Sequence, residues 1–259
     1  MSFGNFRMTD ATQRFTGRAA DYNQYRERYD PDILLPRLRT WCGLIPEWVI
    51  ADIGAGTGML ADVCLANGNQ VLAVEPNTEM RQACAALHAN DATLQMIEGT
   101  AETSTLPAHS IDLVCMGRAF HWFEVDRAFE EFRRILRPDG WVVSVVCGRA
   151  GEGSEANIAV EALVRSFTTD QTRAENARAK YARLSEFLVR DYHHEELEGR
   201  MQVTQAELLG LLRSGSHAPL PNDPRFPDLE RGTREVFLRH AVDGRMTLMT
   251  RYHIDVGRL

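Results

Sequence analysis

The chain has 259 residues, with 44% hydrophobic and 25% charged residues, a composition typical of an ordinary globular protein. Its net charge is −7, and an acidic chain without a basic patch disfavours nucleic-acid binding. No run approaches the ~18 apolar residues of a membrane span, and residues 1–18 lack an apolar secretion core. We therefore expect a cytoplasmic protein that binds neither nucleic acid nor membrane.

The cysteine and histidine spacings give no sign of a metal site. Five scattered cysteines favour buried, reduced thiols over disulfides. The adjacent pair His193 and His194 has no clustered ligand partner along the sequence. We interpret this pair as part of a solvated helix face, and we expect no metal.

The first 44 residues predict helices that cover a later site. Within residues 15–30, Phe15, Tyr22, Tyr25 and Tyr29 recur at helical spacing, which indicates an amphipathic helix. This element is expected to end at Asp30, and residues 33–41 predict a second short helix.

Residues 49–58 predict a buried strand followed by a glycine turn and a helix from about residue 59 to 67. The glycines stand at positions 54, 56 and 58, so the turn is G-x-G-x-G rather than the G-x-G-x-x-G of dinucleotide sites. Asp52 lies two residues before the first glycine, where a carboxylate would repel a pyrophosphate. The turn therefore favours a ligand with a cationic centre.

A second buried strand, residues 71–75, ends in Glu75. This residue lies 21 positions after Gly54, close to the ~20-residue offset at which a carboxylate meets a ribose diol. We interpret Glu75 as the ribose-binding residue.

Three more apolar strands, alternating with helices, are predicted near residues 93–97, 111–116 and 141–147. Such alternation predicts an α/β fold with a Rossmann-like, doubly wound, mostly parallel sheet. Ligands bind beyond the strand carboxyl ends in such sheets. Those ends carry Gly54–Gly58, Glu75, Thr100–Glu102 and Gly117–Trp122, so we expect the site to be assembled from these four stretches.

Four segments are predicted: covering helices (1–44), a Rossmann-like core (45–150), a helical cap or substrate lobe (151–237) and C-terminal strands (238–259). The lobe shows no clear strand in its pattern. Alternating apolar residues after Gly244 predict one or two strands that add an antiparallel edge to the sheet.

Five ordered motifs resemble those of class I S-adenosylmethionine-dependent methyltransferases of the small-molecule (type 11) group. The motifs are Ala51–Gly58, Val74–Asn77 with Met80, Gly99–Glu102 with Leu106-Pro107, Phe120–Phe123 and Glu130–Gly140. The Phe-His-Trp-Phe element is similar to that of a subgroup that includes trans-aconitate methyltransferase-like proteins. Arg118 departs from this subgroup, where a small or amide residue is expected.

The resemblance implies S-adenosyl-L-methionine as cofactor, with S-adenosyl-L-homocysteine as product. The glycines would pack against the methionine and ribose portions, Glu75 would accept the ribose hydroxyls, and Ala101 and Glu102 would border the adenine. The implied cofactor-binding residues are Tyr22, Arg26, Asp52, Gly54, Ala55, Gly56, Gly58, Glu75, Pro76, Met80, Ala101, Glu102 and Gly117.

For the acceptor, the candidate contacts are Arg118, His121 and Trp122, and His217 and Arg213 are further candidates in the lobe. An arginine can pair with a carboxylate, so the acceptor is expected to be a small metabolite that can carry a carboxylate, methylated on O or N. His121 is either a general base or part of the pocket wall.

Two other functions stay open at this point: a non-catalytic or partner-activated cofactor-binding module, and, less favoured, an NAD(P)-dependent oxidoreductase. The oligomeric state is either monomer or homodimer.

Overall fold

A seven-stranded sheet in the order β3-β2-β1-β4-β5-β7-β6 forms the centre of the computed structural model, which describes residues 19–168, 172–215 and 218–259. Strands β1 to β5 are parallel, and β7 runs antiparallel to both β5 and β6. The strands are β1 (Val49–Ile53), β2 (Gln70–Val74), β3 (Leu94–Ile97), β4 (Ile111–Gly117), β5 (Leu136–Arg149), β6 (Arg190–Val203) and β7 (Met246–Arg258). The predicted Rossmann-like, mostly parallel α/β fold is confirmed.

Helices cover both faces of this sheet. They are α1 (Ala19–Tyr25), α2 (Pro31–Trp41), α3 (Ala61–Ala66), α4 (Thr78–Leu87), α5 (Val125–Ile135), α6 (Glu155–Phe167), α7 (Thr172–Ala182), α8 (Leu184–Phe187), α9 (Gln205–Arg213) and α10 (Phe226–His240), with a short 3₁₀ turn at Phe120–Trp122. None of the helices in the described ranges has the length and apolarity that a membrane span requires.

Three apolar clusters hold these layers together. The first packs α2 and α3 against one sheet face, and the second packs α5 and α8 against the other. Strand residues alternate between the two clusters, as the two-residue period of a strand requires: Ile50 belongs to the first and Ala51 to the second. The third cluster joins α6, α9 and α10 to the far ends of β6 and β7, and it forms the core of the lobe.

The lobe contains a long strand, so the prediction of a helical segment without strands is wrong. Strand β6 is the edge of the sheet, and β7, predicted as the antiparallel edge, lies inside it. The prediction missed β6 because its first half, residues 190–196, is exposed or half-buried and contains no aliphatic side chain. Alternation typical of a half-buried strand is confined to residues 196–203, where Leu197, Met201 and Val203 alternate with polar side chains and Gly199 interrupts the series. His193 and His194 lie on this strand and not on a helix.

The N-terminal helices also differ from the prediction. Helix α1 ends at Tyr25, so Arg26 follows it, and Asp30 caps α2 by accepting a hydrogen bond from Asp32 N. Phe15 lies outside the described residues, as does His217 in the lobe. Helix α1 packs on α9, where a Cβ at Gly210 would overlap the ring of Tyr25. This contact brings Tyr22 to the carboxyl ends of the strands.

Candidate functional site

A cavity of about 820 Å³, including its open mouth, lies at the carboxyl ends of β1, β2 and β4. This volume is in the range of small-molecule sites, roughly 300–1,000 Å³. The predicted residues that line it are Tyr22, Gly54, Gly56, Glu75, Pro76, Met80, Ala101, Glu102, Gly117, Arg118 and Trp122. The four separated stretches therefore do meet in one place.

The glycine turn leaves bare backbone facing the cavity. Gly54 has a φ of +72°, and a Cβ there would lie 2.6 Å from Ala119 Cβ. Gly56 has a φ of +59° with open space where its side chain would be, so a ligand can approach its peptide group. The N–H groups of Gly54 and Ala55 both donate to Val74 O, at 2.8 and 3.1 Å, and this fixes the turn to the end of β2.

Gly58 faces away from the cavity. A Cβ there would lie 2.8 Å from Cys84 Sγ and 3.0 Å from His88 Nε2, so this glycine allows close packing of the turn against α4. Ala55 does not line the cavity either. Gly58 therefore has a packing role in the structure, and its contact with a cofactor stays a prediction.

Glu75 is buried at the cavity wall and held by two backbone donors. Its Oε2 accepts from Gly56 N at 2.9 Å, and its Oε1 accepts from Asn77 N at 2.8 Å. Burial raises the pKa of Glu75, and the N–H groups of Asn77 and Gly56 and the charge of Arg81 oppose that effect. The carboxylate is thus fixed in direction, and its remaining lone pairs can accept hydroxyl groups from the cavity.

The far end of the cavity is mostly apolar. Met80 is buried there, with Pro76 and Ala101 beside it. Glu102 also lines this end, and its Oε1 accepts from Glu124 N at 2.8 Å. This bond anchors Glu102 to the start of α5. A flat, weakly polar ring system suits such a surface.

Asp52 lies beneath the turn and not in the cavity, because strand alternation directs its side chain to the face covered by α3. It is 1% exposed, and burial raises its pKa to about 7. Neither carboxylate oxygen has a well-formed hydrogen bond with a described residue, and the Ala61 N–H and Cys115 thiol offset the effect of burial only in part. The structure therefore gives no direct contact between Asp52 and a cavity ligand.

Arg118 lines the cavity but already has an internal partner. Its Nη1 lies 3.2 Å from Glu27 Oε2 and donates to Cys147 O at 3.0 Å, and its guanidinium lies over the Tyr29 ring. Burial alone would raise the pKa of Glu27, but Arg26 and Arg118 hold it below its usual value. Sequence reasoning missed Glu27, which is 91 residues from Arg118.

Arg26 and His121 flank the cavity without lining it. Arg26 Nε lies 3.6 Å from Glu27 Oε2. The His121 ring packs against Trp122 and Tyr181, and Lys180 Nζ donates to the backbone oxygens of His121 and Phe123. Burial, with the charges of Lys180 and Arg26, lowers the pKa of His121 to about 4, so its imidazole is neutral at pH 7.

Asn77, Thr100, Ala119 and Phe123 complete the wall, and Arg213 pairs with Asp21 of α1 at 2.5 Å. The last contact joins the lobe to the N-terminal helix, a structural role for a residue predicted to meet substrate. Ala119 had no sequence signal of its own, and only its place between Gly117 and Trp122 pointed to it.

Comparison with known proteins shows that this core is similar to methyltransferases. Residues 51–144 match the family model described as a methyltransferase domain. An uncharacterized methyltransferase of Mycobacterium bovis is 34% identical over 133 residues, which are 51% of this chain and 51% of that protein. An uncharacterized methyltransferase of Schizosaccharomyces pombe is 31% identical over 122 residues, 47% of each chain. The chain thus matches about half the length of these curated relatives.

Solved structures agree with the fold. A putative type II methyltransferase from Anaeromyxobacter dehalogenans has a TM-score of 0.62 at 20% identity, covering 90% of this chain and 98% of that one. Phosphoethanolamine N-methyltransferase 2 of Haemonchus contortus, in complex with phosphomonomethylethanolamine and S-adenosylhomocysteine, has a TM-score of 0.54 at 17% identity, covering 100% and 61%. Residues 51–144 therefore match a methyltransferase domain model, and the solved structures share the Rossmann-like fold of the chain.

Proposed function

We propose that the protein transfers a methyl group from S-adenosyl-L-methionine to an O or N atom of a small-molecule acceptor. The observation that carries this proposal is the Glu75 carboxylate, fixed by Gly56 N–H and Asn77 N–H at the cavity wall. A carboxylate in this position suits the two hydroxyls of a ribose. The methyltransferase domain match and the neighbour crystallised with S-adenosylhomocysteine support the same cofactor.

The cavity suits this cofactor better than a nicotinamide dinucleotide. The turn lacks the third glycine of the dinucleotide fingerprint, and α3 begins only at Ala61. A pyrophosphate at this turn would also meet the buried Glu75 carboxylate beside it. A sulfonium cofactor carries no phosphate and meets no such repulsion.

The chain's own groups can bind, orient and shield the reactants. The bound cofactor supplies an electrophilic methyl on sulfur, which an acceptor displaces in line. Glu75 would hold the ribose, while Pro76, Met80 and Ala101 would border the adenine. Trp122 and Phe123 provide an apolar wall near the strand ends, which excludes water and keeps the acceptor aligned.

The acceptor is proposed to carry a negative charge, as in the trans-aconitate methyltransferase-like subgroup. Arg26 and Arg118 share the single carboxylate of Glu27, so this group has one formal positive charge in excess. The Nε atoms of both arginines are buried and have no hydrogen-bond partner within the described residues. Buried donors without partners are costly, and an anionic ligand group would satisfy them.

Charge removal at Arg118 tests the acceptor class. Arg118→Ala alone would leave Glu27 with one partner fewer and could unfold the protein, so the informative variant is Glu27→Gln combined with Arg118→Gln. We expect it to raise KM for an anionic acceptor at least tenfold while KM for S-adenosylmethionine changes less than about twofold, since a charge-assisted hydrogen bond contributes about 1.5–3 kcal/mol.

Glu27→Gln alone is the matched control, because it keeps the Arg118 charge and should not raise this KM. KM for the amide analogue of the acceptor should change little in either variant. An unchanged KM for the anionic acceptor in the double variant would contradict an anionic acceptor.

The His121→Gln variant tests whether the reaction needs a general base from the protein. Because its ring does not line the cavity and its pKa is about 4, we expect His121→Gln to lower kcat by less than about tenfold. We also expect no acid limb near pH 6.5 in the wild-type profile. A loss of about 10²–10⁴ in kcat, the usual contribution of a general base, would instead assign that role to His121.

Turnover of the labelled methyl group tests the whole proposal. Purified protein is incubated with S-adenosylmethionine labelled on its methyl group and with paired acidic and neutral acceptors, and labelled product is counted. We expect product with an acidic acceptor and none without acceptor. Cofactor binding without product from any acceptor would favour a non-catalytic or partner-activated module.

A further inference from the structure

Strands β6 and β7 bring histidine and carboxylate side chains together at the edge of the sheet. The register pairs Glu196 with His253 and His194 with Asp255. Residues two apart on a strand share a face, so all four side chains project on the same side. This cluster lies outside the cavity, and none of its members lines that site.

Three of these side chains converge on a point. Glu196 Oε1 lies 3.1 Å from His253 Nδ1 and 3.8 Å from His194 Nε2. One ligand atom from each of the three lies within 4.8 Å of the other two. Zinc bonds to nitrogen and oxygen of about 2.0–2.2 Å in a tetrahedron place ligand atoms about 3.3–3.6 Å apart. The two separations from Glu196 bracket that value.

A fourth residue orients the cluster. Asp255 Oδ1 lies 2.8 Å from His194 Nδ1 and also accepts from Tyr192 OH at 2.6 Å. A proton on Nδ1 bonded to this carboxylate leaves the His194 Nε2 lone pair free toward Glu196. A carboxylate behind a ligating histidine is the usual outer partner in zinc sites.

We propose that His194 Nε2, His253 Nδ1 and Glu196 form a divalent-cation site with the preferences of Zn²⁺, and that Asp255 positions His194. Two imidazoles and one carboxylate form a ligand set that zinc accepts, with water in the fourth position because the site is open to solvent. The ion connects β6 to β7, so it stabilises an edge strand that has a neighbour on one side only. This proposal is independent of the proposed function.

The test uses the full chain after chelator treatment, titrated with ZnCl₂ by calorimetry and with CoCl₂ by visible absorption. We expect one equivalent of Zn²⁺ to bind, and four-coordinate Co²⁺ absorption to appear and then vanish on addition of Zn²⁺. His194→Ala and His253→Ala should each weaken Zn²⁺ binding at least tenfold. Asp255→Asn should weaken it about 10–100-fold, the usual effect of losing an outer partner.

His193→Ala is the matched control. This histidine is on the same strand but stacks on Trp41 at the opposite face of the sheet, so its loss should leave Zn²⁺ affinity unchanged. Circular dichroism of each variant verifies that the sheet is intact. The absence of a saturable Zn²⁺ equivalent in the wild type would overturn the proposal. So would binding that survives both His194→Ala and His253→Ala, which would assign the ion to other groups, such as the five cysteine thiols.

Discussion

Glu75→Gln is expected to weaken S-adenosylmethionine binding by more than about tenfold. The glutamine keeps the size of the side chain but removes the charge, so two charge-assisted hydrogen bonds to the ribose are lost. Its amide nitrogen would also face the N–H of Gly56 or of Asn77, both of which now donate to the carboxylate. Calorimetric titration of wild type and variant measures the change in Kd.

Glu98→Gln is the matched control for this change. Glu98 follows β3, the strand next to β2, and its side chain is 79% exposed and paired with Arg81. Its neutralisation changes the net charge equally without touching the cavity wall, so the Kd should stay within about twofold of wild type. Equal affinities of the wild type and Glu75→Gln for S-adenosylmethionine would show that Glu75 does not bind the ribose.

Asp52→Asn is expected to stabilise the protein more at pH 8 than at pH 5. The folded chain keeps the Asp52 proton up to about pH 7, whereas the unfolded chain releases it near pH 3.8. Between these values the folded state binds more protons, so this contribution to stability is lost as pH rises. A pKa raised from 3.8 to about 7 corresponds to at most about 4 kcal/mol, and we expect a gain of ~2 kcal/mol at pH 8.

Urea unfolding of the wild type and of Asp52→Asn at pH 5 and pH 8 gives the difference in unfolding free energy at each pH. Asp126→Asn serves as the control, because Asp126 is 75% exposed on α5 and should change neither difference by more than about 0.5 kcal/mol. A destabilised Asp52→Asn at pH 8 would show that the ionised carboxylate is favourable in the folded state and would contradict its burial without partners.

The central strands and the turn could be predicted because local rules determine them. An apolar run of strand length, three glycines and a carboxylate about 20 residues later are short-range signals, and the structure places Gly54, Gly56 and Glu75 around one cavity. Strand alternation also determines which side chains face which layer. The same rule buries Asp52 under α3, although the resemblance to methyltransferases had assigned it to the cofactor.

The surroundings of Arg118 could not be predicted, because they depend on contacts between distant segments. Glu27 reaches Arg118 only when α1 packs on α9 and the chain entering α2 lies along β5. Strand β6 was missed for a related reason. The first half of this edge strand has no aliphatic side chain and is stabilised by its pairing with β7, which also brings His194, Glu196 and His253 together.

Calorimetric titration of the purified protein with S-adenosylhomocysteine, and separately with NADH, tests the cofactor assignment most directly. From the shape and charge of the cavity, we expect saturable binding of one S-adenosylhomocysteine per chain and no binding of NADH at the same concentrations. Saturable binding of NADH without binding of S-adenosylhomocysteine would contradict the assignment.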